Sequence, residues 1–514
     1  MLPLHTGRMD GIESLVAEMS DHLWTWLLTP IVVFVGLYMT IRSGVIQLRW
    51  IPEMFRTVTD RSPLDEEGRP QSISAFQAFT VSAASRVGVG NIAGVGTAIA
   101  IGGPGAIFWM WLMALVVAAT SLVESSLGQL FKVRDKGAFR GGPAYYIERG
   151  LGKRWAGIAF AITLIMCFPF AFSSLQANTL TATIVGVSGG DESPSWIPFL
   201  VGGVLAVLTA MVIFGGVRRI ATVSQAAIPI VAFAYLMIGI IIVGINAEQL
   251  PAAFASIFTE AWGDSQVLGA TLGTIIMTGV KRGMFSNEAG LGSAPNAGAS
   301  AAVTHPVKQG LVQTLGVYFD TWLVCSITAF IILVSAPDLS DAPRGIYLTQ
   351  NAIADALGSW TGIMLAVIIF LLAFTSVLGN YYYGETNIQF ITSRPRVLTV
   401  FRNAVIVVVF LGSIASADLI WNLADGIMGI MALINLIAIM LLSGVAMKLV
   451  KDYSQQRRDG HDPVFTRDRL PGVRGIECWE DERTVTGPLG VISQKYRDEK
   501  HRDRLHREAD DGTE

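Results

Sequence analysis

Arg86-Val87-Gly88-Val89-Gly90-Asn91-Ile92-Ala93-Gly94-Val95-Gly96-Thr97-Ala98 lies inside an otherwise apolar run from about Ile73 to Ile101, and it occurs twice. The second copy, 196 positions later, is Arg282-Gly283-Met284-Phe285-Ser286-Asn287-Glu288-Ala289-Gly290-Leu291-Gly292-Ser293-Ala294. Arg86, Asn91, Ala93, Gly94, Gly96 and Ala98 meet Arg282, Asn287, Ala289, Gly290, Gly292 and Ala294, and Thr97 meets Ser293. Alanine and glycine are abundant here, so the aligned Arg and Asn carry most of the weight of the duplication. Each copy places Gly, Asn and charge in the middle of a segment long enough to cross a bilayer. Glycine has no Cβ and disfavours helix, so such a cluster is where a helix breaks. In hydrocarbon, broken backbone survives only when buried in protein or lining a polar cavity. Two Gly-interrupted spans in corresponding halves point to a transporter's binding site. Close helix packing through small residues is the competing reading, but packing does not ask for Asn at the same place twice.

The composition agrees with a membrane protein. The chain has 514 residues, 52% of them hydrophobic and 15% charged, which sets it apart from ordinary soluble domains. Its net charge of -3 says little, because the distribution of charge matters more than the sum. Cys167, Cys325 and Cys478 follow no metal or disulfide spacing. The start of the chain does not read as a cleavable signal peptide, and its first apolar span is expected to be retained.

Eleven apolar spans are expected near Leu23–Thr40, Ile73–Ile101, Ala106–Phe131, Trp155–Ala177, Trp196–Val217, Ala221–Ile245, Val267–Ala302, Leu311–Val334, Trp360–Tyr382, Val397–Ile414 and Leu419–Leu449. The second, seventh and eleventh are long enough for tilt or interruption. Lys and Arg gather on the cytoplasmic side of membrane proteins. Here they follow span one (Arg42, Arg49, Arg56, Arg61, Arg69), span three (Lys132 to Arg154), span five (Arg218, Arg219), span seven (Lys308) and span nine (Arg394, Arg396). The alternate loops Ser188–Ser195 and Asn246–Ser265 hold acidic residues and no Lys or Arg, and Arg344 is the basic exception. The N-terminus is therefore expected outside and the C-terminus in the cytoplasm, in a cell (inner) membrane.

That orientation makes the two motif copies antiparallel. The predicted fold is an all-α membrane protein with an inverted five-plus-five repeat and one extra N-terminal helix. Its divisions are an extracytoplasmic N-terminus (1–21), the extra helix and a cytoplasmic loop (22–72), the first repeat (73–245), an extracytoplasmic loop (246–265), the second repeat (266–450) and a charged cytoplasmic tail (451–514). A partly helical stretch is expected near Gln494–Arg507. A solvated tail without a specific task outweighs a regulatory one.

Five blocks carry a resemblance: Arg86 to Gly94, Arg140-Gly-Gly-Pro-Ala-Tyr-Tyr-Ile-Glu148, Lys281 to Gly290, Gly379-Asn-Tyr-Tyr-Tyr-Gly-Glu-Thr-Asn387 and Trp421-Asn-Leu-Ala-Asp425. The chain resembles the alanine/glycine:cation symporter family from Leu23 to about Asp452, and the charged tail lies outside the pattern. The resemblance implies a leucine-transporter-like fold and import of small neutral amino acids with Na⁺, or with H⁺ in some members.

Val87 to Asn91 and Met284 to Asn287 are expected to be the unwound centres, with Gly88, Val89, Gly90, Asn91, Phe285, Ser286 and Asn287 around the substrate. Free N–H groups and the positive end of a half-helix suit a carboxylate. Gln176 resembles a family substrate contact; Asn178, beside it, is as well suited to a structural hydrogen bond. Thr375 and Ser376, with carbonyls near Ala84 and Val87, would supply the hard oxygens that Na⁺ takes. Back-bonding of those hydroxyls to their own helix is the alternative. Arg86, Arg282, Glu124, Glu288 and Asp425 are expensive in hydrocarbon and are expected in internal ion pairs or gates, with Glu124 keeping H⁺ coupling open. A channel would want a continuous polar stripe, and an intramembrane enzyme a nucleophile with a base; neither pattern occurs, so no enzyme activity is expected. The partners expected are a small amino acid and the lipid bilayer, with no nucleic acid; the oligomeric state stays open.

Overall fold

The computed structural model describes residues 18–65, 67–135, 138–263, 267, 270–340 and 342–487. The stretch Gln494–Arg507 and most of the N-terminal segment lie outside the described residues. Helix falls at each of the eleven expected positions. Among the described residues, eight helices qualify as membrane-crossing by length and apolarity, and nine when one bent pair is counted as a single span.

In chain order the helices are α1 (Glu18–Arg42), α2 (Ala75–Arg86), α3 (Ala93–Gly102) and α4 (Gly105–Leu130). A short hairpin follows, β1 (Val133–Asp135) antiparallel to β2 (Ala138–Arg140), and then α5 (Pro143–Leu151). Next come α6 (Arg154–Val187), α7 (Ile197–Ile213), α8 (Gly216–Ile245), α9 (Leu272–Asn287) and α10 (Ala294–Gly298). Then come α11 (Pro306–Val334), α12 (Ile346–Leu357), α13 (Thr361–Ile391), α14 (Pro395–Gly412), α15 (Ala417–Leu441) and α16 (Ser443–Arg458); the shorter helices Ile46–Arg49, Ile51–Val58, Leu250–Thr259 and Glu482–Thr486 lie between or after them.

The broken pairs α2/α3 and α9/α10 run antiparallel, as contacts at both ends show. At one end Ile73 bridges Ala301, and Ser72 Oγ donates to Ser300 O at 2.7 Å. At the other, a Cβ on Gly102 of α3 would lie 3.4 Å from Ile275 of α9. The fold is thus an inverted repeat, with one broken helix in each half. The first end carries the basic loops and is called here the basic face. Lys308 binds Asp60 at 2.8 Å and Asp462 at 3.0 Å on this face.

The two breaks sit in the interior. α2 is covered by α8 and α13, and α4 packs against α1, α9 and α11. Every residue from Thr80 to Gly96 is buried. Lipid-facing helices show the opposite pattern, with Phe233 65% and Val400 68% exposed, the apolar exterior a bilayer requires.

The expectation of a solvated tail is overturned for residues 451–487, which fold against the basic face. Trp479, 1% exposed, donates Nε1–H to Gln129 O at 3.2 Å and stacks on the Lys132 ammonium at 4.5 Å. Phe465 N–H bonds Thr304 O at 2.9 Å, and Gln71 Nε2 bonds Thr484 O at 3.1 Å. Charge density concealed a few large apolar residues, Phe465 and Trp479 among them, that have a groove to fill. His305 is buried under this segment with Nε2 3.1 Å from Asp452, and burial pushes its pKa down to about 4. Burial likewise brings Lys132 down to about 7.

Candidate functional site

The first break begins where α2 ends. Gly88 is extended (φ -128°, ψ -159°) and Val89–Asn91 form one tight turn before α3. The two halves meet at 58°. Gly88 N–H turns to Arg86 O at 2.9 Å and to Asn91 Oδ1 at 3.1 Å, and Asn91 N–H turns to Gly88 O at 3.3 Å. Neither closes the helical bond back to Ala84 O or Val87 O, so both carbonyl oxygens are released. Val89 N–H is taken by Gln176 Oε1 of α6 at 3.1 Å. An uncommitted backbone donor in hydrocarbon costs several kcal/mol, and a neutral amide from a neighbouring helix offsets it here.

Glycine is required at Gly88 and Gly90 by close approach. A Cβ on Gly88 would lie 2.5 Å from Ser376 Oγ and 3.0 Å from Gln176 Oε1, and one on Gly90 would lie 2.6 Å from the Phe285 ring. The structure thus brings Gly88, Gly90, Gln176, Phe285 and Ser376 to one place. Ser376 Oγ is buried with no hydrogen-bond partner among the described residues. Thr375 Oγ1 donates to its own helix at Leu371 O (2.9 Å) and Leu372 O (3.1 Å), which leaves its lone pairs free.

The second break lies later than expected. Met284 to Asn287 are helical, and α9 unwinds only at Glu288, which has φ +56°. The break runs to Ser293 through Gly290 (φ +82°) and Gly292 (φ +79°). The counterparts of Gly88 and Gly90 are Met284 and Ser286, which hold helix, while the left-handed turns of the second break use Gly290 and Gly292, whose counterparts Gly94 and Gly96 lie within α3. The 196-residue register therefore puts the two breaks on opposite sides of the matched asparagines. Glu124 of α4 accepts Gly290 N–H at 3.2 Å, Gly292 N–H at 3.1 Å and Asn435 Nδ2 at 2.7 Å, and Asn435 Nδ2 also donates to Gly290 O. Glu288 accepts Ser85 Oγ–H at 2.7 Å and Ser293 Oγ–H at 2.6 Å.

Asp320, within α11, is a functional candidate that the sequence reading did not single out. Its carboxylate accepts Asn91 Nδ2 at 2.5 Å and the Ser286 hydroxyl, and Asn91 Nδ2 lies 3.1 Å from Ser286 Oγ. An aspartate inside an apolar span was the available signal. It sits in a π-type turn, Phe319–Cys325, a distortion that recurs at functional sites. Asn287 turns away from the first break: its Nδ2 meets Thr321 Oγ1 at 3.3 Å and its Oδ1 accepts Ala289 N–H. Asn178 Nδ2 bonds Ala415 O at 2.8 Å and Gly412 O at 3.4 Å, joining α6 to the end of α14 and the turn that follows.

Of the expected intramembrane charges, Arg282 and Asp425 form a buried ion pair. The Arg282 guanidinium also lies 4.6 Å from the Trp421 ring. Beneath it Phe285 packs on Trp421 at 5.1 Å and on Phe172 at 4.5 Å. Lys281 reaches Asp21 at 2.5 Å. These contacts cover the site on the side away from the basic face, where Thr349 of α12 also donates to Ile92 O at 3.3 Å. Arg86 donates Nη1–H to Gln313 O at 3.0 Å, while its Nε and Nη2 have no partner.

Two antiparallel broken helices meeting in the middle of a repeated bundle define a secondary transporter of the leucine-transporter-like class. The fold is similar to that of MhsT, solved in complex with L-phenylalanine, with TM-score 0.51 at 14% identity over 85% of this chain and 99% of that one. Residues 9–467 match the Sodium:alanine symporter family, and the chain belongs to that family. It is 49% identical to the amino-acid carrier protein AlsT of Bacillus subtilis over 91% of this chain and 98% of the relative. It is 44% identical to the probable sodium/glutamine symporter GlnT of the same organism, over 92% and 98%.

Proposed function

We propose that the chain imports alanine, glycine or similarly small neutral amino acids across a cell's inner membrane, coupled to Na⁺, with its N-terminus outside and its basic face in the cytoplasm. The orientation rests on the loop arginines and lysines. The observation that carries the coupling is the orphaned Ser376 hydroxyl beside the unwound turn that releases Ala84 O and Val87 O. With Thr375, these oxygens fit a small hard cation and carry no net charge themselves.

The substrate is placed at Gly88, Val89, Gly90 and Asn91, its carboxylate toward the positive end of α3. Gln176 exchanges its bond to Val89 N–H for the substrate. Ser286 and Asn287 stand behind Asn91 on the α9 side. Phe285 closes over Gly90, so the pocket admits a methyl side chain and disfavours a long one. The Arg282–Asp425 pair and the Phe285–Trp421 contact act as the outer gate.

H⁺ coupling is the second reading, favoured by Asp320 rather than Glu124. Each carboxylate accepts from three donors, but those of Glu124 lie at the second break, whereas Asp320 touches Asn91 of the first break directly. Alanine uptake into proteoliposomes, with Na⁺ and pH gradients imposed separately, tests both. Uptake driven by the Na⁺ gradient alone and competed by glycine more than by glutamine supports the proposal. Uptake that follows only the pH gradient overturns Na⁺ coupling, and glutamine competing as well as glycine overturns the small pocket.

A further inference from the structure

The basic face holds a cavity of about 400 Å³ away from the two breaks. It is walled by the β1–β2 hairpin, α5, the start of α6 and the turn between α13 and α14. Five arginines line it: Arg134 and Arg140 from the hairpin, Arg149 from α5, Arg154 from α6 and Arg394 from the turn. Only Asp135 and Glu148 oppose them in the lining. Arg140 binds Asp135 at 2.8 Å and Arg154 binds Glu148 at 2.6 Å, while Arg149 is tied to Glu477 of the C-terminal segment at 2.9 Å. Arg134 and Arg394 make no ion pair among the described residues, and the cavity is left with uncompensated positive charge.

Loop arginines on this face serve topology, and topology needs only charge in a loop. It does not require arginines from four separate segments to converge on one cavity. Its surroundings are those of the level where a bilayer meets water. Trp155, 74% exposed, stands next to Arg154, and Val397 and Val400 continue from the Arg394 turn along the exposed side of α14. An exposed tryptophan beside arginines is typical of the interfacial zone. Arginine offers a planar fork of donors suited to phosphate oxygens.

We propose that this cavity binds the phosphate headgroup of an anionic membrane lipid, with Arg134 and Arg394 as the principal contacts and the acyl chains lying along α14. Basic pockets between spans are a recognised form of lipid-headgroup site. The occupant would brace the hairpin and α5 against α13 and α14, two segments that belong to different repeats. Nothing in this inference depends on which substrate is carried.

The test uses the purified full chain in neutral detergent, with its thermal midpoint followed as phosphatidylglycerol is added. The midpoint should rise with phosphatidylglycerol and not with phosphatidylcholine. In R134Q/R394Q the lipid-free midpoint should stay at the parental value, since both side chains are exposed, and the half-effect concentration should rise about thirtyfold. K451Q/R458Q, which removes two exposed charges of α16, should titrate like the parent. Native mass spectrometry on the same proteins should count a retained phosphatidylglycerol that R134Q/R394Q loses. Equal weakening in both double variants would reduce the effect to general surface charge. An equal response to phosphatidylcholine, or the full shift from inorganic phosphate alone, would remove the lipid headgroup as occupant.

Discussion

The two broken helices share a thirteen-residue motif yet hold their open backbone by different means. At the second break a carboxylate takes two N–H groups, an asparagine takes the carbonyl between them, and Glu288 is filled by two serine hydroxyls. At the first break the donors are held by neutral amides, and two carbonyls and the Ser376 hydroxyl are left over. Charge-assisted bonds are roughly twice as strong as neutral ones. On the proposed reading the second break is a fixed hinge and the first the place where ligands exchange. Duplication would then supply the fold's symmetry, and the neighbouring side chains the difference between the copies.

The comparison is broken most severely at Glu124. Removing its carboxylate by Glu124→Ala leaves two buried backbone N–H groups without an acceptor and takes one of two from Asn435 Nδ2, a loss of roughly 3 kcal/mol or more. Glu124→Ala is expected to aggregate or melt far below the parent, with Glu124→Gln between the two. A parental melting temperature for the alanine variant would show that the second break holds itself. Arg282→Gln leaves Asp425 buried without its cation. Uptake of alanine should fall roughly a hundredfold in a protein that still elutes as a single species; near-parental uptake would remove the pair from the gate.

Glycine substitutions sharpen the contrast at smaller scale. Gly88→Ala forces a methyl against Ser376 and Gln176, and overpacking of about 1–3 kcal/mol should lower alanine uptake about tenfold or more. Gly94, matched in the repeat to the strained Gly290, has its nearest foreign atom 3.9 Å away, on Trp421. Gly94→Ala should leave uptake within about twofold, since Ala favours helix by about 1 kcal/mol. Equal losses in the two variants would contradict a ligand role for the first break.

The smallest expected effect lies at the tail. His305 faces Asp452 and is near Lys308 and Arg469. Its folded pKa of about 4 is below its ordinary 6.5, so between those values the unfolded segment binds more protons and stability rises with pH. Tryptic cleavage within residues 459–487 should therefore speed up modestly as pH falls from about 6.5 toward 4, on a substrate-corrected rate. A flat profile would show that His305 does not hold the segment.

Much of the fold was legible because it is written in long-range signals: apolar length, alternating loop charge and a repeat that keeps Arg and Asn in register. The position of the second break was not, because Gly94-x-Gly96 and Gly290-x-Gly292 are the same letters. What separates helix from left-handed turn there is Glu124, more than 160 residues away, presenting its oxygens to the N–H groups of Gly290 and Gly292. Asp320 was readable as a lone carboxylate in an apolar span, but its contact with Asn91 depends on a π-type turn that no spacing announces. Phe172 carried no signal at all, being one more aromatic in an apolar run. The docked tail was hidden by its charge, which outnumbers the few aromatic residues that bind it.

The central claim is that the first break, with Thr375 and Ser376, forms a neutral Na⁺ site that drives uptake. One Na⁺ moving inward with a zwitterion is worth about 2.3 kcal/mol per 100 mV, which supports about fortyfold accumulation before any Na⁺ gradient is counted. The direct measurement is alanine uptake against external Na⁺ in proteoliposomes of the parent and of Thr375→Val/Ser376→Ala. The account predicts that the double variant needs at least about tenfold more Na⁺ for half-maximal uptake, with the order of competing amino acids unchanged. An unchanged half-saturating Na⁺ concentration, or full uptake by the parent with no Na⁺ present, would contradict it.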